Sequence, residues 1–95
     1  DPEIPDIFIS DVVVSTAGRD AGQFFYVIKE ESSILYLANG KDRTLDKPKR
    51  KKRKHVQKVL RSETRVAQKI SSGNKVLNSE LRRDLVSFAR ENASK

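Results

Sequence analysis

Residues 12–28 read VVVSTAGRDAGQFFYVI, which divides into a β-branched run, a polar turn and an aromatic run. Valine and threonine are typical of strands, and they fill most of positions 12–16. The turn AGRDAG (17–22) contains two glycines, which tolerate the positive φ angles of tight turns. Residues 23–30 (QFFYVIKE) are again aromatic and β-branched, so the segment predicts two strands joined by a turn.

The chain downstream of this pair continues the strand pattern. Residues 33–38 (SILYLA) form another apolar run, and Asn39-Gly40 is a strong hairpin signal because both residues tolerate positive φ. We expect a further short strand near 43–45 and a closing strand near 55–59. Short strands joined by tight turns predict a small curled β-sheet or barrel.

The second predicted strand is apolar on both faces. Phe25 and Val27 fall on one side of it, while Phe24, Tyr26 and Ile28 fall on the other. Two arrangements explain this pattern, a strand bent sharply within a barrel or a strand covered by another segment, and the sequence leaves both open.

The composition of the chain predicts three parts. Residues 1–9 (DPEIPDIFI) contain two prolines and predict an extended lead-in, of which Ile7, Phe8 and Ile9 dock on the domain edge. Residues 10–60 form the β-domain, including a basic loop at 47–54. Residues 61–95 form a helical appendage.

Two short helices are predicted in the appendage. Val66 and Ile70 lie four residues apart, and Gly73 is placed to end the first helix. The second helix is predicted to be capped by Asn78 or Ser79, to have Glu80 in its first turn, and to carry an apolar stripe, Leu81, Leu85 and Phe88. Because helices this short need tertiary support, we expect the stripe to pack on the β-domain, although a partner-binding helix is an alternative.

Charge is distributed unevenly along the chain. The net charge is +7 and the sequence pI about 9.9, which makes a polyanion the natural partner. Residues 1–40 carry a net charge of −5, residues 41–58 a net charge of +8, and residues 59–95 a net charge of +4. The positive field therefore belongs to the middle and the C-terminal part.

The basic run KPKRKKRK (47–54) is the centre of that field, since only Pro48 among its eight residues is neutral. Packing like charges together is unfavourable unless a polyanion, salt or water screens them, and phosphates release counterions when they bind such a run. We expect the run to be disordered when free and ordered when bound. Three other interpretations stay open: a functionless solvated charge run, a nuclear localisation signal, and attraction to anionic lipid.

Several function classes find no pattern in the sequence. The chain has no cysteine, and its one histidine, His55, cannot form a His-based metal site without recruiting carboxylates. Gly18 and Gly22 form neither a P-loop nor a dinucleotide fingerprint, and the acidic residues show no spacing typical of hydrolases. We therefore predict a non-enzymatic protein without catalytic residues, cofactor or metal. No membrane-spanning run or signal peptide is visible, so we expect a cytoplasmic protein that does not bind membranes.

The order of these segments resembles a known family. Residues 12–28 resemble the KOW motif, and KPKRKKRKHV (47–56) resembles the basic run and Lys-His pair of large-subunit ribosomal proteins of the fourteen-e type. SGNKVLNSELRRDL (72–85) resembles the C-terminal tail of bacterial KOW-domain RNA-binding proteins, so the resemblance covers roughly residues 10–90. It implies an SH3-like β-barrel that binds RNA, in particular ribosomal RNA, with Gly22 as the KOW glycine and Arg19 facing the RNA.

The predicted function is thus RNA binding through phosphate contacts, by a ribosomal or ribosome-associated protein that could also contact ribosomal proteins. The main predicted contacts are Lys49, Arg50, Lys51, Lys52, Arg53 and Lys54, followed by Arg19, Arg43, Lys47 and Lys58, with an occasional contact from His55. We expect Phe24 and Tyr36 to pack in the core rather than to stack on bases. The alternative function is a protein-docking adaptor that uses the barrel or the C-terminal helix, with the basic run as a targeting signal.

Overall fold

The computed structural model of the chain describes residues 7–60 and 64–93. Its elements are β1 (Val12–Ser15), β2 (Phe24–Glu31), β3 (Ile34–Ala38), β4 (Lys49–Lys52), a 3-10 turn (Arg53–His55), β5 (Val56–Leu60), α1 (Arg65–Ser72) and α2 (Asn78–Ala93). Most of the predicted lead-in (1–6) and the predicted start of the appendage (61–63) lie outside the described residues, as do residues 94–95.

The five strands form one antiparallel sheet in the order β4-β3-β2-β1-β5. Strands β1 to β4 follow one another as a meander, and β5 then pairs with the free edge of β1, where Ser15 lies opposite Val56. Both helices come after the last strand. The predicted fold class, mainly β with C-terminal helices, is therefore confirmed, as is the closing strand.

The turn between β1 and β2 matches its prediction. Gly18 and Gly22 have φ angles of 84° and 91°, which side chains rarely allow. Ser15 closes the turn, because its N–H donates to the carbonyl of Gln23 and its own carbonyl accepts from Gly22. The glycines thus let the chain reverse while the backbone pairing continues.

Two hydrophobic clusters lie on opposite faces of β2. The first is enclosed by the curled sheet and contains Phe25 and Val27 with Ile7, Val13, Leu35, Leu37 and Val56. The second lies between the sheet and the helices and contains Tyr26 with Val12, Ala38, Val66, Ala67, Leu81 and Leu85. Strand β2 is therefore apolar on both faces because another segment, the helical appendage, covers its second face. This is the second of the two arrangements that the sequence left open.

The predicted apolar stripe of α2 packs inside the protein. Leu81 and Leu85 are buried, and Phe88 contacts Phe24 edge to face with ring centroids 5.1 Å apart. The stripe therefore packs on the sheet as expected, and partner binding by the C-terminal helix stays a prediction. Of the lead-in residues, Ile7 is buried as expected, whereas Phe8 and Ile9 are exposed.

The helix boundaries follow the predicted signals. Thr64 caps α1 by accepting a hydrogen bond from the N–H of Ala67, and Gly73 ends this helix with a φ of 78°. Helix α2 starts at Asn78, so Asn78 and Ser79 are its first two residues and not the cap that was predicted. Asn78 Oδ1 accepts from the N–H of Leu45, and the N–H of Leu77, the residue before the helix, donates to Glu80 Oε1. None of the helices in the described part of the chain is long and apolar enough to span a bilayer.

The segment between β3 and β4 differs from its prediction. Asn39-Gly40 does not form a two-residue hairpin, and residues 43–45 contain no strand; a longer loop, residues 39–48, joins the strands instead. The reason is contact with α2, because the N–H of Leu45 donates to Asn78 Oδ1 (2.8 Å) and a Cβ at Gly40 would overlap the carbonyl oxygen of Asn78. Docking of the helix selects the loop shape over the local turn preference.

The basic run is the second difference, since its centre is a strand and not a loop. Lys49 to Lys52 pair with β3 as the edge strand β4, with Lys51 opposite Leu35. The expectation that this run is disordered when free is therefore wrong for residues 49–52. Strand pairing orders the backbone here, and acidic side chains neutralise part of the charge, as described next.

Candidate nucleic-acid interface

Strand β4 divides the basic run into two sets because successive side chains of a strand point to opposite faces. Lys49 and Lys51 point towards the inside of the curled sheet; Lys49 is half-buried and Lys51 is buried. Arg50 and Lys52 point outwards and are exposed. Residues that look equivalent in sequence therefore have different surroundings.

The inward lysines form ion pairs with Asp20, which lies in the turn between β1 and β2. Lys51 is only 7% exposed, and its Nζ lies 2.6 Å from Asp20 Oδ1 and 2.6 Å from the carbonyl oxygen of Ala17. Lys49 Nζ lies 3.1 Å from Asp20 Oδ2, and the Ser15 hydroxyl donates to Oδ1 at 2.8 Å. This group of residues, which we name the Asp20 cluster (Ser15, Asp20, Lys49 and Lys51), fixes the turn against β4.

The charge state of Asp20 follows from these contacts. Burial alone would raise the pKa of this carboxyl, but hydrogen bonds from Lys51 and Ser15 and the nearby ammonium of Lys49 outweigh burial and hold the pKa well below its usual range. Asp20 is therefore ionised at neutral pH and can neutralise both lysines. The Asp20 cluster has the character of a structural ion-pair network.

Two more predicted RNA contacts are engaged within the protein. Arg53 donates to the carbonyl oxygen of Ser32 (2.7 Å), to that of Ile7 (3.2 Å) and to Glu30 Oε2 (2.7 Å). Lys58 Nζ lies 3.3 Å from the buried carboxylate of Asp11. Four of the predicted cations, Lys49, Lys51, Arg53 and Lys58, thus form ion pairs that hold loops and strands together.

The remaining cations of the run face solvent. Arg50, Lys52, Lys54 and Lys47 are exposed, and none of them forms an ion pair within residues 7–60 and 64–91. Because β4 is an edge strand, Arg50 and Lys52 lie at one border of the sheet, while Lys47 precedes this strand and Lys54 follows it in the chain. We name Arg50 and Lys52 the outward pair.

Two cations that are distant in sequence meet beside β4. Arg19 from the β1–β2 turn and Arg43 from the β3–β4 loop line a cleft of about 230 Å³ together with Lys49. The acids Asp20 and Asp42 also line it. The structure therefore brings three predicted phosphate contacts to one concave site, with guanidinium groups that suit phosphate geometry.

His55 ends the 3-10 turn and is half-buried. Its carbonyl oxygen accepts a hydrogen bond from the N–H of Thr16 at 2.9 Å, which links the turn to the end of β1. The contribution shown by the structure is therefore made by the backbone. Contact of the imidazole with RNA stays a prediction.

The sequence-based interpretation missed the surroundings of Tyr36. Phe24 packs against α2 as expected, but Tyr36 belongs to neither hydrophobic cluster and is half-buried on the outer face of β3. Lys29 Nζ lies 5.3 Å and the Arg50 guanidinium carbon 6.0 Å from the centre of the Tyr36 ring. Only the strand register brings these three residues together, so no short motif could have shown it.

An apolar groove lies between α2 and the β1–β2 turn. Its volume is about 380 Å³, and Phe24, Leu85, Val86 and Ala89 provide its apolar wall. Val86 is 50% exposed there. Within the described residues, no three histidine or carboxylate side chains lie close enough together to hold a metal ion.

Comparison with known proteins adds no family to these observations. No protein-family model matches the chain, and a search of the curated proteins finds no relative. The resemblance to KOW-domain proteins therefore stays a prediction from the sequence.

Proposed function

We propose that the protein binds RNA, without catalysing a reaction, by contacting phosphates with the outward pair. The observation that carries this proposal is the strand alternation of β4, which directs Lys49 and Lys51 to Asp20 but leaves Arg50 and Lys52 exposed and outside every ion pair formed in the described part of the chain. Lys47 and Lys54 flank the pair and extend the row of charge. A row of this kind matches the closely spaced phosphates of a nucleic-acid backbone.

The cleft between the loops provides a second group of phosphate contacts in this proposal. Arg19 and Arg43 offer forked donors, and Lys49 adds a charge that Asp20 neutralises only in part because Asp20 also pairs with Lys51. The cleft lies beside the strand that carries the outward pair. A backbone following the border of the sheet could therefore reach both groups.

We further propose that the sheet is an SH3-like barrel of the KOW type and that the RNA is ribosomal. Five short antiparallel strands, the return of β5 to β1, and a β1–β2 turn with Gly18 and Gly22 at positive φ support the architecture. The basic run adjoining His55 supports the link to ribosomal proteins. In this proposal the protein is cytoplasmic and its further contacts are ribosomal proteins.

Another explanation of the exposed cations has to be separated from this one. Charged side chains on an edge strand also prevent sheets from pairing edge to edge, and β4 is such a strand. Exchanging Arg50 and Lys52 for glutamates keeps charge on the edge but repels phosphate. The double variant therefore distinguishes edge protection from RNA binding.

The test is the salt dependence of binding to a ribosomal RNA fragment. If about five phosphates are contacted, the slope of log affinity against log salt should be near −4, and Arg50→Glu/Lys52→Glu should reduce it to roughly −2 and weaken binding about 100-fold at low salt. Lys51 and Arg53 are left unchanged because both form internal ion pairs. The measurement is a fluorescence anisotropy titration at several salt concentrations.

The matched control is Arg65→Glu/Lys75→Glu, which changes the net charge equally at exposed positions of the helical region. It should lose less than about fivefold in affinity, because only the general field of the protein changes. Equal losses in both variants would show that the outward pair is no binding site. Binding to a protein partner that ignores salt would instead favour the adaptor function, for which the apolar groove beside α2 is the candidate surface.

A further inference from the structure

The geometry points to Tyr36 as a stacking site for an unpaired base, which makes single-stranded RNA the preferred ligand class of this protein. This inference rests on the proposed RNA binding and adds to it the part of the RNA that is recognised. It also departs from the sequence-based expectation of backbone contacts alone.

Two rows of side chains cross the outer face of strands β2, β3 and β4. The register aligns Lys29 with Tyr36 and Tyr36 with Arg50, which forms the first row. It aligns Glu31 with Ile34 and Ile34 with Lys52, which forms the second row. Neighbouring strands lie about 4.8 Å apart, so each row extends roughly 10 Å and places its aromatic or apolar residue at the centre.

The helices leave this part of the sheet open. Ala38, two residues after Tyr36 on the same face of β3, is buried beneath the helices in the second hydrophobic cluster. Tyr36 and Ile34 are only half-buried, and both belong to the part of β3 beyond that cluster. The outer face of the sheet thus changes along β3 from a covered to an accessible surface.

The charges around Tyr36 match a nucleotide. Lys29 and Arg50 lie over the Tyr36 ring, 5.3 Å and 6.0 Å from its centre. A base that stacks on the ring displaces a cation from the ring face, and that cation is then available to the phosphate of the same nucleotide. A guanidinium also stacks on bases, so Arg50 adds to the platform. Lys52 continues the charge along β4 in the direction that the backbone would follow.

One acidic side chain opposes this ligand. Glu31 forms an ion pair with Lys29 at 3.0 Å, and this contact lowers the pKa of Glu31 and raises the pKa of Lys29. Glu31 is therefore charged at neutral pH and competes with phosphate for Lys29. Exchange of Glu31 for glutamine should release Lys29 and increase affinity for single strands severalfold.

The nucleic acid must be single-stranded for this contact. The bases of a duplex stack on one another, and an A-form helix offers them to a flat protein surface only at its ends. Stacking on an aromatic side chain contributes roughly 5- to 150-fold in affinity per base and requires an unstacked base. A site built around one half-buried but accessible ring therefore separates loops and single strands from duplex.

The experiment uses Tyr36→Trp in the full chain, which has no tryptophan of its own. Tryptophan keeps the stacking surface and reports on it by fluorescence. We expect single-stranded RNA of about ten nucleotides to quench this fluorescence strongly, whereas heparin, a polyanion without bases, should bind without comparable quenching. Phe8→Trp is the control. The Phe8 ring is exposed and, like the Tyr36 ring, lies near a cation, since the Lys58 ammonium is 5.8 Å from it, but Phe8 lies outside this face of the sheet.

A second variant, Tyr36→Leu, measures the contribution to affinity. It should weaken binding of single strands roughly 5- to 150-fold and change binding of duplex RNA less than twofold. Quenching of the Phe8→Trp protein in place of the Tyr36→Trp protein, or equal quenching by heparin, would overturn the inference. If the wild-type protein binds neither RNA, the proposed function fails as well; if it binds both and Tyr36→Leu changes neither, only the stacking site is lost.

Discussion

Lys51 and Arg50 are neighbours in sequence and carry the same charge, yet they lie in opposite environments. Lys51 is buried and its ammonium lies 2.6 Å from Asp20. Arg50 is exposed, lies near Tyr36 and has no ion pair in the part of the chain that the structure describes. The density of charge along a sequence therefore does not measure how much charge is available to a partner.

The uneven charge distribution of the chain has a structural explanation in this comparison. The first 40 residues carry a net charge of −5, and their acids Asp11, Asp20 and Glu30 pair with inward or half-buried cations from the basic half of the chain. Burying a cation is unfavourable unless an opposite charge accompanies it. The acidic half of the chain thus supplies the partners that let a strand of four cations enter the sheet.

The largest effect should come from removing the charge of Lys51. In Lys51→Met, the buried carboxylate of Asp20 loses its closest cation, and removal of one partner of a buried ion pair costs about 3 kcal/mol or more of unfolding free energy. Chemical denaturation at neutral pH measures the change. Lys52→Met is the matched control, because its side chain is exposed, and it should change stability by less than about 0.5 kcal/mol.

The double variant Asp20→Asn/Lys51→Met provides a further check of the same contact. If the loss in Lys51→Met comes from the uncompensated carboxylate, neutralising that carboxylate should restore part of the stability. Similar losses from Lys51→Met and Lys52→Met would show that the two sides of β4 do not differ as described.

The second effect is the loss of folding stability at low pH. The pKa of Asp20 lies well below the ordinary value of about 3.9 when the protein is folded, so in mildly acidic solution the unfolded chain binds a proton that the folded chain does not. Stability from this group is complete above the unfolded pKa and is lost as the pH falls towards the folded pKa. The slope from one proton is at most about 1.4 kcal/mol per pH unit.

Denaturation between about pH 6 and pH 2 tests this expectation. The stability curves of wild type and Asp20→Asn should approach each other as the pH falls below about 4, because the unfolded wild-type chain then binds a proton at Asp20 that the folded protein does not. Glu31→Gln is the control: its ion pair with Lys29 is exposed, so its curve should differ from that of wild type much less than the curve of Asp20→Asn does. A constant difference between wild type and Asp20→Asn across this range would contradict the lowered pKa.

The sequence predicted the parts of the fold that local patterns determine. The β1–β2 turn follows from two glycines that adopt positive φ, and the end of α1 follows from Gly73. The Asn39-Gly40 prediction failed because contact with Asn78 of α2 decides the loop conformation, and a contact between residues so far apart leaves no local signal. The basic run was predicted as a loop because lysine is a poor strand former, and the partner that makes the strand possible, Asp20, lies about thirty residues earlier.

The sequence predicted that the candidate site is basic and where it lies in the chain, but not which of its cations are available to a ligand. The basic composition identified the region, and the turn position of Arg19 placed it on the surface, whereas Arg43 was expected in a short strand and lies in a loop. The division into inward and outward cations required the register of β4 against β3, since a shift by one residue would exchange the two sets. The position of Tyr36 depended on the same register.

The smallest of the three predicted losses of stability should come from Arg53→Lys, which tests whether Arg53 belongs with the inward cations. Arg53 spreads three hydrogen bonds over Ser32, Ile7 and Glu30, a geometry that the guanidinium fork allows and a lysine ammonium cannot reproduce. The variant keeps the charge but should lose about 1 kcal/mol of stability by chemical denaturation. RNA affinity should stay within twofold of wild type.

The exchange Arg50→Lys is the companion measurement for the outward pair. It also keeps the charge, and because the Arg50 side chain donates no hydrogen bond within the described residues, stability should change by less than about 0.5 kcal/mol. The two conservative exchanges thus act on different properties. Arg53→Lys should lower stability alone. Arg50→Lys should weaken RNA binding alone, because the lysine keeps the phosphate contact but loses the stacking of the guanidinium. If the Arg53→Lys protein is as stable as wild type but binds RNA tenfold more weakly, Arg53 contacts the RNA. The cations that contact RNA would then include a residue of the 3-10 turn that follows β4.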